Sequence, residues 1–283
     1  MLVDSDLEKF SKLVKAIEPW LDQVVVIGGW AHRLYRLHPL AHKVKYAPLM
    51  TMDADIAIPA KLPSSDADIA IPSKLNAPKE GIGKLLHHAG FQESLLGDHK
   101  PPVSQYRLGA EAGGFYVEFL SPLTGSRYKR GGKPDSTVRV AGVTAQKLRN
   151  IDILLLAPWT IKLEASETEV RIANPAGYLA QKLLIHAQRE TADRAKDLLY
   201  IHDTIDIFVG SLPEIHAEWT EKIAPELYRN VMRDVSKAAA QLFHKVNDDI
   251  RSAAEIARSL GRTLAPERLF EVCQAGLAEI FDQ

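Results

Sequence analysis

Two aspartates stand two positions apart at the start of an apolar run, in the sequence TMDADIAIP. Because alternate side chains of a strand point to the same face, Asp53 and Asp55 are predicted to share one face, while Ala54 and Ile56 face the other and can be buried. The Cα atoms of the two aspartates would be about 7 Å apart, from twice the rise per residue, and carboxylates at that spacing can converge on one hard divalent cation. The pair predicts a site for Mg²⁺ or Mn²⁺.

A pair of glycines, Gly28 and Gly29, follows the apolar run VVVI and precedes a helical segment, AHRLYRL. Glycines before a helix allow a tight turn and leave backbone N–H groups available to an anion. A phosphate site would therefore lie beside the metal site, and we expect this turn to admit a nucleoside triphosphate. A phosphate site next to a metal site is typical of phosphoryl or nucleotidyl transfer.

The composition is that of an ordinary globular protein, with 46% hydrophobic and 25% charged residues among 283. A formal net charge of −1 argues against a general nucleic-acid binder, although a local basic patch is compatible with it. The single cysteine, Cys273, excludes an internal disulfide and favours a reducing compartment. The N-terminus lacks the pattern of a secretory signal, and no apolar run is long enough to span a membrane. We expect a soluble, cytoplasmic protein.

The elements that must hold these residues follow from periodicity. An opening helix ends at Pro19, a second helix ends at Gly90, and the runs SQYRLG, FYVEFL and STVRVAG are strand-like. The stretch TAQKLRNIDILLLAPW predicts an amphipathic helix, followed by two short strands, TIKLEAS and TEVRIA. Beyond Asn174 the chain is helical by periodicity. We predict an α/β (α+β) domain over 1–165 and a mainly helical domain over 166–283 that closes one side of the cleft.

The aspartate motif occurs twice, because MDADIAIPAKLPS is followed at once by SDADIAIPSKLNA. Asp66 and Asp68 thus repeat Asp53 and Asp55 thirteen residues later. Two copies of so short a unit cannot form a repeat architecture, which needs several units to bury a continuous core. The second copy leads more directly into the next helix, whereas only the first follows a threonine, Thr51, at two residues' distance. Both copies are candidates for the metal site.

The Gly-Gly turn followed by T-x-D-x-D resembles the nucleotidyltransferase superfamily with the DNA polymerase β type of fold. The resemblance implies a mixed sheet flanked by helices, with Mg²⁺ held by the two aspartates. Because Thr51 completes the motif, the resemblance favours the first copy, Asp53 and Asp55. It also implies a third acid on a later strand, and Glu118 in FYVEFL matches that position. A solvent-facing glutamate on an amphipathic strand is the open alternative. The loop after this strand carries Arg127 and Lys129, which suit a triphosphate or an RNA backbone, and a solvated loop is again the alternative.

A second resemblance covers two helical segments, NPAGYLAQKLLI and RAKDLLYIHDTI. They resemble the K…KDL segment of the AbiEii-like toxins and related bacterial proteins of the nucleotidyltransferase fold. The matching positions are Lys182, which by this resemblance contacts a nucleotide phosphate, and Asp197, which supports the active site. Without the resemblance, Lys182 would be a core-helix lysine and Asp197 the partner of a neighbouring base such as Arg194.

The expected reaction is metal-dependent transfer of a nucleoside monophosphate from an NTP to an acceptor hydroxyl. The resemblance implies RNA, tRNA in particular, as acceptor, and a cognate antitoxin protein as partner. Two alternatives are left open: transfer to a protein or a small molecule, and a nucleotide-sensing or protein-binding module that keeps the fold without turnover. The sequence identifies neither the base nor the acceptor.

Overall fold

The computed structural model describes residues 5–60, 78, 80–96, 103–109, 114–128, 131–132, 134–164 and 167–282. The chain forms two compact units. The first unit consists of 1–31 and 50–172, and the second of 32–49 and 173–283. The sequence division at 165 stays a prediction. Among the described residues, no helix is long and apolar enough to cross a membrane.

A mixed sheet forms the first unit, and nine of its strands lie within the described residues. The strands are β1 Val25–Ile27, β2 Asp53–Ala57, β3 Phe91–Leu96, β4 Val103–Leu108, β5 Tyr116–Pro122, β6 Thr137–Val140, β7 Val143–Leu148, β8 Trp159–Leu163 and β9 Thr168–Ile172. Their order is β3-β4-β5-β2-β1-β9-β8, with β7 pairing both β5 and β6. Strands β2 and β5 are parallel, whereas β1 and β2 are antiparallel. The predicted α/β fold with a mixed sheet is confirmed.

Short helices accompany this sheet, and the first of them buries the apolar stripe that the sequence predicted. The helices are α1 Ser5–Ala16, α2 Gly28–Leu34, α3 Ile82–His88 and α4 Ile151–Leu154. Helix α1 ends before Pro19, as expected, and buries Phe10 and Leu13 completely. The ring of Phe10 stacks on that of Trp30 with centroids 4.1 Å apart. This stacking fixes the helix against the residues that follow the Gly-Gly turn.

The predicted amphipathic helix over 144–159 is wrong. Its first half is strand β7, which pairs in parallel with β5 and antiparallel with β6, and only a four-residue helix, α4, follows. Val143 and Ala145 are fully buried and lie two positions apart, as in a strand with one buried face. Pairing with β5 and β6 determines this conformation, and the local sequence pattern does not show that pairing. Asn150, in the left-handed region at φ 63°, separates the two elements. Strand β3, which the sequence analysis missed, pairs with β4.

The second unit is mainly helical, as the sequence predicted. Its helices are α5 Pro175–Ile185, α6 Thr191–Ile207, α7 Leu212–Ala217, α8 Arg229–Leu242, α9 Asp248–Ser259 and α10 Pro266–Phe281. Asn174 caps α5, because its side-chain oxygen accepts a hydrogen bond of 3.0 Å from the Ala176 amide, with Pro175 in the first turn. Cys273 is fully buried in α10.

The segment 32–49 belongs to this helical unit. The Tyr35 hydroxyl donates to the Ala173 carbonyl at 2.9 Å, and the Tyr46 hydroxyl donates to Asp206 at the same distance. His32 is fully buried beside Tyr200, and burial lowers its pKa to about 3. It is therefore a neutral residue in the core of this unit.

Candidate nucleotide and metal site

Three carboxylates share one face of the sheet in the first unit. Strand β2 places Ala54 and Ile56 in the core with no exposed surface, whereas Asp53 and Asp55 are half-buried on the opposite face. In the parallel pairing of β2 and β5, Asp55 lies directly opposite Glu118. Directly opposite residues of neighbouring strands point to the same side. The structure therefore places the two predicted aspartates and the predicted third acid on one face of the sheet.

Gly28 packs against one of these carboxylates. It follows β1, whose last residue, Ile27, is the register partner of Asp55. The Gly28 backbone has φ 62°, in the left-handed region that disfavours a side chain. A Cβ atom at this position would lie 2.3 Å from Asp55 Oδ2. Glycine is needed here both for the turn and for the close approach of the carboxylate, while Gly29 continues into α2.

Thr51 lies against the other aspartate. Its hydroxyl donates a hydrogen bond to Asp53 Oδ1, and the residue is 7% exposed. A buried hydroxyl that donates to a carboxylate fixes the carboxylate's orientation. The threonine of the T-x-D-x-D motif thus has a local function, which is to hold Asp53.

The side chains of Gln105 and Arg107, on the neighbouring strand β4, form a hydrogen-bonded chain that ends on Glu118. Gln105 Nε2 donates to Glu118 Oε1 at 2.6 Å, and Arg107 donates to Gln105 Oε1 at 2.8 Å. These two residues of β4 were not among the site residues predicted from the sequence. In the sequence SQYRL, Gln105 and Arg107 alternate with Tyr106, which predicts that they share one face of a strand. The pairing of this strand with β5, which places that face beside Glu118, is not visible in the sequence.

The pKa of the Tyr116 hydroxyl is affected by the carboxylates on this face. Burial first, and then the negative charges of Asp53, Glu118 and Asp55, raise the pKa of its hydroxyl to about 12, while Arg107 acts in the opposite direction. The face therefore has a concentrated negative potential, which a divalent cation would neutralise.

The donor set fits a hard cation. Within the described ranges, no three His, Cys, Asp or Glu side chains form a preassembled metal cluster. Mg²⁺ does not need one, because it is usually held by one or two carboxylates together with substrate phosphates and water. Asp53 and Asp55 supply hard oxygen ligands of this kind, and Gly28 leaves room for the Asp55 carboxylate.

Lys182 and Asp197 form a buried ion pair in the second unit. Lys182 Nζ lies 2.5 Å from Asp197 Oδ1, and these residues are 7% and 1% exposed. Arg189 Nε lies 3.3 Å from the other oxygen of Asp197, so the neighbouring base is Arg189 rather than Arg194. The Lys182 ammonium also lies 5.1 Å from the centre of the Tyr200 ring. The nucleotide-contacting function predicted for this lysine stays a prediction.

Three predicted residues lie outside the described ranges, namely Asp66, Asp68 and Lys129. Arg127 and Tyr128 are described and exposed. The Arg127 carbonyl accepts from the Asp135 amide at 2.8 Å, which anchors the backbone of the loop at this point.

The comparisons with known proteins agree with the class that the site indicates. A family model described as "Nucleotidyltransferase" matches residues 6–224, well over half of the chain. The chain belongs to this nucleotidyltransferase family, and it is a nucleotidyltransferase. The superfamily predicted from the Gly-Gly turn and the T-x-D-x-D motif is confirmed.

One solved structure is similar along most of its length. It is the crystal structure of an antigenic nucleotidyltransferase-like protein from Paracoccidioides brasiliensis, with 16% sequence identity and a TM-score of 0.40. The match covers 95% of this chain and 99% of that chain. The comparison with curated proteins gave no match.

Proposed function

We propose that this nucleotidyltransferase uses Mg²⁺ to move a nucleoside monophosphate from an NTP to an acceptor hydroxyl on RNA, with release of pyrophosphate. The observation that carries the proposal is the placement of Asp53 and Asp55 on one face of β2, with Asp55 opposite Glu118 and against Gly28.

Each residue of this face has a distinct task in the proposed reaction. Asp53 and Asp55 would hold the cation, and Thr51 keeps the Asp53 carboxylate in one orientation. Bound Mg²⁺ would neutralise phosphate charge and stabilise the charge that develops on the attacking and leaving oxygens. Glu118 is on the correct face to complete the metal shell or to orient the acceptor hydroxyl. Gly28 and Gly29 let the triphosphate approach the backbone.

The K…KDL resemblance extends the proposal to a toxin-like enzyme that modifies tRNA and has an antitoxin as partner. By that resemblance Lys182 neutralises a nucleotide phosphate and Asp197 supports the active site, and the Lys182 ammonium lies 2.5 Å from the Asp197 carboxylate. Arg127 and Lys129 would add positive charge for an RNA backbone. A cytoplasmic location follows from this function and from the unpaired cysteine.

Thermal unfolding in the presence of nucleotide tests the metal and nucleotide site. A ligand that binds only the native state at 100 times its Kd stabilises it by about 2.7 kcal/mol, which is on the order of 5 °C in Tm. We expect a shift of this size with MgCl₂ and one of the four NTPs, and none for Asp53→Asn or Asp55→Asn. Asp152→Asn, an exposed aspartate of α4, is the matched control and should respond like the wild type.

The same assay distinguishes the two copies of the motif. Asp66→Asn should keep the nucleotide response, and if it loses the response while Asp53→Asn keeps it, the second copy is the metal site. A wild-type protein that responds to none of the four NTPs with either Mg²⁺ or Mn²⁺ would contradict the proposal.

A further inference from the structure

Strand β4 presents two polar residues to the face that carries the acids. In the antiparallel pairing of β4 and β5, Gln105 lies directly opposite Glu118, and Arg107 lies directly opposite Tyr116. Tyr116 in turn is the register partner of Asp53. Cross-strand neighbours on one face are the closest side-chain pairs in a sheet. Gln105 and Arg107 therefore lie next to the proposed metal site, although neither side chain has a carboxylate that could bind the cation.

The Gln105 side chain is used at both ends. Its NH₂ group donates to Glu118 Oε1 at 2.6 Å, and its carbonyl oxygen accepts from Arg107 at 2.8 Å. These two contacts fix the orientation of the amide, because a flipped amide would place its oxygen against the carboxylate and its NH₂ against the guanidinium. Arg107 is held in addition by the Tyr116 ring, whose centre lies 5.7 Å from its guanidinium carbon.

Burial makes this arrangement specific. Gln105 is 5% exposed, so water has little access to replace either hydrogen bond. In such surroundings a hydrogen bond to a carboxylate is stronger than in water, and a chain that runs from a cation through an amide to an anion is cooperative. Gln105 thus holds one carboxylate oxygen of Glu118, on the strand that pairs with the strand of Asp53 and Asp55.

We infer that Gln105, anchored by Arg107, is a positioning residue that fixes the Glu118 carboxylate for cation binding and transfer. This inference rests on the proposed function. Residues behind a metal site that orient its carboxylates typically change metal affinity or activity by about 10- to 100-fold when they are replaced.

The test measures Mn²⁺ binding directly, by electron paramagnetic resonance in the presence of a saturating non-hydrolysable analogue of the NTP that gives the largest Tm shift. Transfer rates are measured as well. Gln105→Leu removes both hydrogen bonds at similar volume and should weaken Mn²⁺ binding about 10- to 100-fold. The KM for NTP at saturating metal should stay near the wild-type value, because the lost contact acts on the carboxylate and not on the nucleotide. Gln241→Leu, which replaces an exposed glutamine of helix α8 in the second unit, is the matched control and should bind Mn²⁺ like the wild type.

Gln105→Asn is a second variant that keeps the test valid if Gln105→Leu fails to fold. It keeps an amide but is one methylene shorter, so it cannot reach Glu118 and Arg107 together, and its Mn²⁺ affinity should also fall. Wild-type Mn²⁺ affinity in a folded Gln105→Asn or Gln105→Leu protein would overturn the inference alone. A wild-type protein without metal-dependent nucleotide binding would overturn the proposed function together with it.

Discussion

At Gly28 two separate constraints select glycine. The backbone is left-handed at φ 62°, and the space that a Cβ would fill is occupied by Asp55 Oδ2 at 2.3 Å. The sequence predicted the first constraint, because glycine before a helix indicates a tight turn. It could not predict the second, which arises from the pairing of Ile27 with Asp55 between strands far apart in the chain. The same limit explains why Gln105 was missed, since its function depends on being opposite Glu118.

A Gly28→Ala variant separates these constraints when it is compared with Gly261→Ala. Gly261 has φ 75° and open space around its Cβ position. Both variants should lose about 1–2 kcal/mol of unfolding free energy from the left-handed backbone. Only Gly28→Ala should also displace Asp55 and abolish Mg²⁺-dependent NTP binding. Denaturant unfolding and nucleotide titration of both proteins measure this, and wild-type nucleotide binding by Gly28→Ala would show that the Asp55 contact is unimportant.

Among the elements, those with strong local signals were predictable and those set by pairing were not. Helix α5 carries its own start signal in Asn174 and Pro175, and strands β8 and β9 have clear β-branched patterns. Strand β7 lacked such a signal, because its partners β5 and β6 decide its conformation. The ion pair between α5 and α6 could not be predicted either, because sequence spacing alone does not show whether Lys182 pairs with Asp197.

A double-mutant cycle on this ion pair separates stability from chemistry. Lys182→Met leaves a buried carboxylate without its ammonium partner and should destabilise the protein by about 3–5 kcal/mol. Adding Asp197→Leu should restore most of that loss, since an apolar pair of similar volume replaces the ions and Arg189, whose side chain is 40% exposed, can be solvated.

Transfer activity of the stable double variant then decides whether this ion pair takes part in the reaction. If the lysine contacts a nucleotide phosphate, the double variant should be folded yet at least about 100-fold slower, as expected when one preorganised positive group is removed. Unfolding free energies from denaturant titration and initial transfer rates are the two measurements. Wild-type rates in the double variant would make the pair purely structural.

At the scale of the whole molecule, the sequence predicted a mixed-sheet unit and a helical unit, and the structure shows two compact units with these characters. The segment 32–49 groups with the helical unit through contacts such as Tyr35 to Ala173, which no local pattern announced. The family match over residues 6–224 extends across residues of both units. The transfer reaction is therefore best tested on the full chain.

The central claim is that the chain transfers the α-phosphorus of an NTP to an acceptor and releases pyrophosphate. The most direct measurement incubates the full chain with Mg²⁺, cell extract and NTP radiolabelled at either the α or the γ position. We predict that α-label alone is incorporated into a macromolecule, that RNase and not protease removes it, and that Asp53→Asn and Asp55→Asn incorporate none. Incorporation of γ-label, or an absence of transfer by a protein that binds NTP, would contradict the account.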